Sequence, residues 1–265
     1  MKSLISTINP EKETGKITSF ISSVLKKTGF KKVVIGLSGG IDSTISLFLL
    51  RKALEPENIF IAHLYFFQPK VDLIKKICSN LLIPTKNQYI FSIKNPVDSI
   101  NNLTQKSNLS DHGRVRIGNI MARVRMVIIY DLAKQLNALV CGTENKSEHL
   151  LGYFTRFGDA ASDLEPITHL YKTQVYELAK YLKVPEEIIK AKPTAGLWKG
   201  QTDEGQFGFT YKDADYILYL YFDKKLTTQQ IAKKGFKNSE KIINFANKNQ
   251  FKKLVPYSLL NYKHF

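Results

Sequence analysis

Apolar residues recur along the first half of the chain in two alternating patterns. Ile17, Phe20, Ile21, Val24 and Leu25 share one face of a helix predicted over Glu13–Thr28, with Gly29 placed to cap it. Then come a predicted strand at Lys32–Leu37, a helix at Ser43–Leu54, a strand at Ile59–Phe66, a helix at Val71–Leu81 ending before Pro84, and a strand at Gln88–Ile93. Ile59–Phe66 is almost continuously apolar, as in a strand covered on both faces. Pro96–Leu103 reads as a short helix, Thr104–Gly113 as a polar, mobile loop, Arg114–Leu136 as a long helix and Ala138–Cys141 as a short strand leading to Gly142. This alternation predicts parallel βαβ units: a doubly wound, mostly parallel, Rossmann-like α/β sheet flanked by helices.

Beyond Gly142 the texture changes. Glu144–Gly152 reads as helical and Gly152–Asp163 as a glycine-punctuated loop, followed by an amphipathic helix at Thr173–Leu182. Ile188–Phe209 contains Gly196, Gly200, Gly205 and Gly208 and reads mostly as loop, of a length that tends to be functional. C-terminal helices are predicted at Lys212–Phe222, Thr228–Lys234 and Ser239 to about Asn249, with Ser239 as N-cap. No internal repeat is present, and one domain over residues 1–265 is expected.

The first strand–helix junction carries chemistry. Gly36-Leu37-Ser38-Gly39-Gly40-Ile41-Asp42-Ser43 follows Val33-Val34-Ile35 and opens a helix. Glycines without Cβ let the backbone approach an anion, the helix start offers N–H groups and a positive dipole end, and Ser38 and Ser43 add hydroxyls. A carboxylate such as Asp42 repels phosphate unless a cation lies between them, and Mg²⁺ is the natural one. The loop is neither a Walker loop, since no Lys follows Gly40, nor a G-x-G-x-x-G fingerprint. It resembles the SGGxDS signature of the PP-loop ATP pyrophosphatases, which split ATP between its α and β phosphates and transfer AMP to a substrate oxygen.

Composition changes this picture little. No apolar run of the 265 residues reaches the roughly 18 needed for a membrane span, and Met1–Ser6 does not read as a signal peptide. Two cysteines, Cys78 and Cys141, make no disulfide framework or CxxC site, so a cytoplasmic setting is expected. The net charge is +16, but the lysines are spread in pairs with no block of five like charges, so a solvated surface is favoured over a nucleic-acid patch.

Ligands of α/β sheets bind beyond the carboxyl ends of the strands. The segment after the fourth strand, Cys141 to Glu148, should open beside the phosphate loop and bring Thr143 and Glu148 near Asp42. From the residues alone, a solvated helix residue at Glu148 and a cap at Thr143 are the favoured reading. Five blocks then resemble one family. They are the phosphate loop; Gly118-Asn119-Ile120-Met121-Ala122-Arg123-Val124-Arg125-Met126; Gly142-Thr143-x-Asn145-Lys146-Ser147-Glu148 through Asp159; Leu164-Glu165-Pro166-Ile167 with Lys172-Thr173-Gln174-Val175; and Lys192-Pro193-Thr194-Ala195-Gly196 through Glu204. Together they resemble the ammonia-dependent NAD⁺ synthetases.

That resemblance implies ATP-dependent amidation of deamido-NAD⁺ by ammonia through an acyl adenylate, releasing AMP and pyrophosphate. It implies ATP binding at Gly36–Ser43, Thr143, Lys172 and Thr194, and Mg²⁺ held by Asp42 and Glu148. It implies deamido-NAD⁺ contacts at Arg123, Arg156, Asp163 and Lys252, a catalytic part for Lys172, and ammonium binding with proton removal at Asp159. Arg125 lies about 200° around the helix from Arg123 and reads as structural; Asp163 could also be a turn cap. A homodimer with substrate at the interface is implied, the long helix Ile117–Leu136 suiting such an interface, and no glutaminase domain is expected. Arg156 stands where the family usually has Lys, Phe251 where it has His, and Leu64–Lys70 is shorter than the usual nucleotide-site loop. A tRNA-modifying PP-loop enzyme, favoured by the charge, and a non-catalytic nucleotide-binding relative remain the alternatives.

Overall fold

Local signals fix the first elements. In the computed structural model, which describes residues 8–104, 111–254 and 256–257, Asn9 caps helix α1 (Pro10–Thr28) by accepting the Lys12 N–H at 3.0 Å, and Gly29 closes it at φ +78°. The chain continues through β1 (Lys32–Gly36), α2 (Ile41–Ala53), β2 (Ile59–Tyr65), α3 (Val71–Asn80), β3 (Gln88–Ser92), α4 (Lys94–Thr104), α5 (Asp111–Leu136) and β4 (Ala138–Cys141). The predicted loop over Thr104–Gly113 is corrected at both ends. Thr104 closes α4 and Asp111–Gly113 begin α5, while 105–110 lie outside the described residues. Polar composition hid the first turn of a helix whose apolar face starts later.

All strand pairs are parallel, in the order β3-β2-β1-β4. Alternate residues feed two cores. Val33, Ile35, Ile59 and Ile61 pack with α1, α2, α3 and α7 (Lys172–Tyr181), whereas Val34, Phe60, Ala62 and Val140 pack with α4 and α5. The order reverses at β1, whose neighbours are β2 on one side and β4 on the other. In open α/β sheets ligands bind at such a switch point, here between the loops after β1 and β4. Leu164 adds a parallel bridge to Cys141 at the β4 edge.

Beyond α6 (Lys146–Leu151) and α7 the chain makes α8 (Glu186–Ile189), α9 (Asp203–Phe207), α10 (Tyr211–Leu218), a π turn (Tyr219–Asp223), α11 (Thr228–Lys233) and α12 (Ser239–Lys248). Ile188 is 1% exposed, and such burial contributes roughly 1.5–3 kcal/mol. The solvent-facing pair Lys76–Glu187 is worth about 0–1 kcal/mol, so burial rather than charge docks α8. A third cluster, rich in aromatics, joins Leu151, Phe207, Tyr211, Leu218, Ile231 and Ile243 and fastens the C-terminal helices to α6. One expectation is refined and one corrected here. The glycine-rich stretch contains α9, capped by Thr202 through the Gly205 N–H, and the N-cap of α12 is Asn238, with Ser239 buried inside the helix. Among the described residues no helix is long and apolar enough to cross a membrane.

Candidate active site

The phosphate loop is held open by its own serines. Ser43 Oγ accepts the Ser38 N–H at 3.2 Å and lies 3.0 Å from Ser38 Oγ, which accepts the Gly40 N–H at 3.1 Å. Gly39 has φ +75°, the left-handed region that favours glycine. The first backbone bond of α2 runs from Thr44 N–H to Gly40 O, so the N–H groups of Ile41, Asp42 and Ser43 lie ahead of the helical ladder. Leu37 and Ile41 bury their side chains in the core. The Leu37 N–H bonds Ala62 O and its carbonyl accepts His63 Nδ1–H at 2.8 Å, so Leu37 shapes the loop without a free backbone group. The Lys70 N–H donates to His63 Nε2 at 3.2 Å, tying the short segment after β2 to the same loop.

The loop after β4 meets the first one through a buried cation. Lys172, 2% exposed at the start of α7, places Nζ 2.6 Å from Asp42 Oδ2 and 3.1 Å from Glu148 Oε1. Asn145 caps α6 by accepting the Glu148 N–H, and its Nδ2 donates to Asp42 Oδ1 at 2.9 Å. The cap of α6 is therefore Asn145, not Thr143. Burial disfavours charge on Lys172, but Asp42 and Glu148 outweigh it and hold the ammonium well above its usual range. Burial pushes the Glu148 carboxyl upward, and the neighbouring Lys172 ammonium pulls it back down.

Residues without an assigned role in the sequence surround this cluster and hold it in place. Asp215 of α10, fully buried, accepts the Ser147 hydroxyl and the Thr173 N–H, and Ser147 Oγ accepts the Lys172 N–H at 2.8 Å. Burial raises Asp215 to about 6, opposed by those bonds. Asp203 accepts the hydroxyls of Tyr153 at 3.2 Å and Tyr211 at 3.1 Å and the Ala195 N–H at 3.0 Å, and so anchors the segment that carries Thr194. Tyr211 also points its hydroxyl at Glu148 Oε1, 3.5 Å away. The N-x-x-E spacing of a capping box could have flagged Asn145. Asp203 and Asp215 carry no such local signal.

The remaining expected positions form a rim. Arg123 is exposed and donates to Arg156 O at 3.2 Å, whereas Arg125 turns inward to Leu64 O at 2.9 Å. The Arg156 guanidinium sits over both Phe157 and Phe251, at 5.4 and 5.8 Å, so the two departures from the family pattern touch each other. Lys252 donates to Gly152 O and Phe154 O at 2.8 and 3.1 Å, and burial lowers its pKa. Asp163 accepts the Val140 N–H at 2.7 Å, and Asp159 accepts the Thr155 N–H at 3.0 Å. Thr143 follows directly on Gly142 at the end of β4, and exposed Thr194 accepts the Gly196 N–H at 3.0 Å. Asp42, Glu148 and Lys172 are thus together, with Thr194 connected through Asp203, while Arg123, Arg156 and Lys252 gather around residues 152–157.

Among the described residues no group of three or more His, Cys, Asp or Glu could hold a metal ion by itself. Two carboxylates converging on one buried ammonium nevertheless form a cation locus. A hard ion there would need further oxygens, such as those of a phosphate.

The family described as NAD synthase matches residues 13–256. An NH(3)-dependent NAD(+) synthetase of Fusobacterium nucleatum is 38% identical, covering 94% of this chain and 95% of the relative. Among solved structures, the NMN synthetase of Francisella tularensis aligns with TM-score 0.79 at 32% identity, over 95% of this chain and 98% of that one. The NH3-dependent NAD synthetase of Campylobacter jejuni, solved with nitrate, aligns with TM-score 0.77 at 31% identity, over 95% and 100%.

Proposed function

The chain belongs to the NAD synthase family, and from that premise we infer that its crevice amidates deamido-NAD⁺ with ammonia to NAD⁺ at the expense of ATP, with the residues below in the working roles. The observation that carries the site assignment is the meeting of Asp42, Glu148 and Lys172 from separate loops beyond the sheet's switch point. A carboxylate is a poor acyl donor because oxide is a poor leaving group. A nicotinate oxygen therefore attacks the α-phosphorus of ATP, the bond to pyrophosphate breaks, and the acyl adenylate forms. Ammonia attacks the acyl carbon and AMP leaves.

In this reading the N–H groups of Gly39 to Ser43 and the hydroxyls of Ser38 and Ser43 cradle the phosphates, with Gly36 and Leu37 shaping the turn. Asp42 and Glu148 would hold Mg²⁺, which would supply charge neutralisation at the phosphates. Lys172 stabilises negative charge on phosphate oxygens, and Thr143 and Thr194 position ATP. Arg123 and Arg156 face the dinucleotide. Asp163, with one oxygen committed to Val140, offers its other, and Lys252 acts by holding the carbonyls of the 152–154 turn. Asp159 takes the proton that ammonium must lose before nitrogen can attack. The assembly is a homodimer along α5, whose Val127 is 59% exposed; Val127→Glu should give a monomer by light scattering.

One assay tests the reaction. Purified protein with ATP, Mg²⁺ and ammonium is given deamido-NAD⁺ or, because a solved relative is an NMN synthetase, nicotinate mononucleotide. AMP and NAD⁺ should form with the dinucleotide in preference. Preference for the mononucleotide would reassign the substrate, and no AMP with either acid would overturn the enzyme reading.

A further inference from the structure

The same three charges carry an inference that rests on the reading of Asp42 and Glu148 as the Mg²⁺ pair and goes beyond it. The two carboxylate oxygens that face each other, Asp42 Oδ2 and Glu148 Oε1, both bind Lys172 Nζ, at 2.6 and 3.1 Å. The other oxygens are occupied from outside: Asp42 Oδ1 by Asn145 Nδ2 at 2.9 Å, and Glu148 Oε2 by the Asn145 N–H at 3.5 Å. Asp42 Oδ2 and Glu148 Oε1 thus converge on a single point, which the ammonium holds. A divalent ion held by these same two oxygens would need the place that Nζ now occupies. Two cations cannot share that point.

Lys172 cannot leave by a backbone shift. Its own N–H is fixed by Ser147 Oγ and the next residue's by Asp215, both buried. The move open to it is rotation of a four-carbon side chain. A buried ammonium that gives up two carboxylates must find other anions, since an unpaired buried charge costs several kcal/mol. The Tyr211 ring lies 5.1 Å away, and Asp203, already bonded to two tyrosines, is the other acid acting on the ammonium. The phosphate loop, contiguous with Asp42, is where new anions would arrive.

We propose that Lys172 is the resident counter-ion of the carboxylate pair, so that a divalent ion enters only together with a triphosphate whose oxygens take over the ammonium. Metal and nucleotide then bind with positive coupling, and Lys172 is delivered to the phosphates by the act of loading the site. Free divalent ion alone is kept out.

The test is Mn²⁺ binding followed by electron paramagnetic resonance, with and without α,β-methylene-ATP, which cannot be split at the α-phosphorus. Wild type should take up Mn²⁺ weakly alone and at least about tenfold more tightly with the analogue. Lys172→Gln should bind Mn²⁺ without nucleotide at least about tenfold more tightly than wild type. Lys172→Arg should behave as wild type, and adding Asp42→Asn to Lys172→Gln should abolish the gain. Circular dichroism checks folding of each variant. Should Lys172→Gln not fold, the wild-type comparison still decides: Mn²⁺ binding equally tight with and without the analogue overturns the proposal. If Lys172→Gln gains nothing while the wild-type ternary complex needs Asp42, the counter-ion proposal fails and the metal site stands. If Asp42→Asn leaves ternary Mn²⁺ binding intact, the metal reading fails and takes the proposal with it.

Discussion

Gly142 shows how much one missing carbon decides. A Cβ at this position would lie 1.7 Å from Glu165 Oε1 and 2.2 Å from its carboxyl carbon. Glu165 instead fills that space, accepting the Glu144 N–H at 3.0 Å and the Ser162 hydroxyl at 2.7 Å. Gly142→Ala must therefore expel a buried carboxyl, at about 2–4 kcal/mol. In a Glu165→Ala background most of that cost should vanish. Urea unfolding of the four proteins measures the coupling, and additive effects would refute the account. The same carboxyl carries a pH dependence. Burial, then the charges of Glu144 and Asp159, raise Glu165 to about 8 from 4.5, against the bond from Ser162. The folded state thus binds more protons than the unfolded state between those values. The associated stability is complete below about pH 4.5 and is lost as pH rises toward about 8. Glu165→Gln, a permanently neutral side chain, should flatten that fall; unfolding curves at both ends of the window would show an unchanged slope if the carboxyl is not responsible.

Between elements, the contact to test joins α5 to the segment carrying Thr194. Gly118 lies inside α5, and a Cβ there would come 2.7 Å from Leu197 Cδ1 and 2.9 Å from its Cβ. Gly118→Ala gains about 0.8–1 kcal/mol of helix propensity but pushes Leu197 away. The two effects should nearly cancel in melting temperature while the KM for ATP rises about threefold or more, because the Thr194 segment loses its seat. An unchanged KM would mean that this docking does not position Thr194. Such contacts mark the limit of what the sequence discloses. The parallel α/β class followed from alternating strand and helix patterns, and the two-residue offset of Arg123 and Arg125 already placed them on different sides of their helix. Asp42 and Glu148 were legible because a phosphate-loop motif and a strand-end motif are contiguous stretches. Asn145, Asp203 and Asp215 act across 103, 50 and 68 residues, so their partners depend on how α6, α7 and α10 pack. For the same reason Lys172 reads as a phosphate ligand in sequence, while its seat between two acids emerges only in three dimensions. Helix α9 was missed because glycine count outweighed the Thr202 cap, and the start of α5 because its first turn is polar.

For the whole molecule the unresolved quantity is charge. Lys and Arg number 39 against 23 Asp and Glu, a net +16, and this excess can act on substrates or on RNA. Both readings involve phosphate but differ in how they respond to salt. The substrates are small polyanions, and the proposed site pairs them with a cluster in which Asp42, Glu148 and Asp203 surround Lys172. Net positive charge acts on them chiefly during encounter, at ranges that a Debye length of about 8–10 Å cuts off near physiological salt. Raising salt from about 50 to about 300 mM should therefore lower kcat/KM for ATP several-fold and leave kcat nearly constant. An RNA-binding face works differently, because each neutralised phosphate releases a counterion and affinity falls by orders of magnitude over the same range. Filter binding of tRNA beside the kinetic salt series separates the two. Steep, salt-dependent tRNA retention with a flat kcat/KM would give the surface to RNA. A modest slope in kcat/KM with negligible retention assigns the +16 to drawing anionic nucleotides toward the phosphate loop.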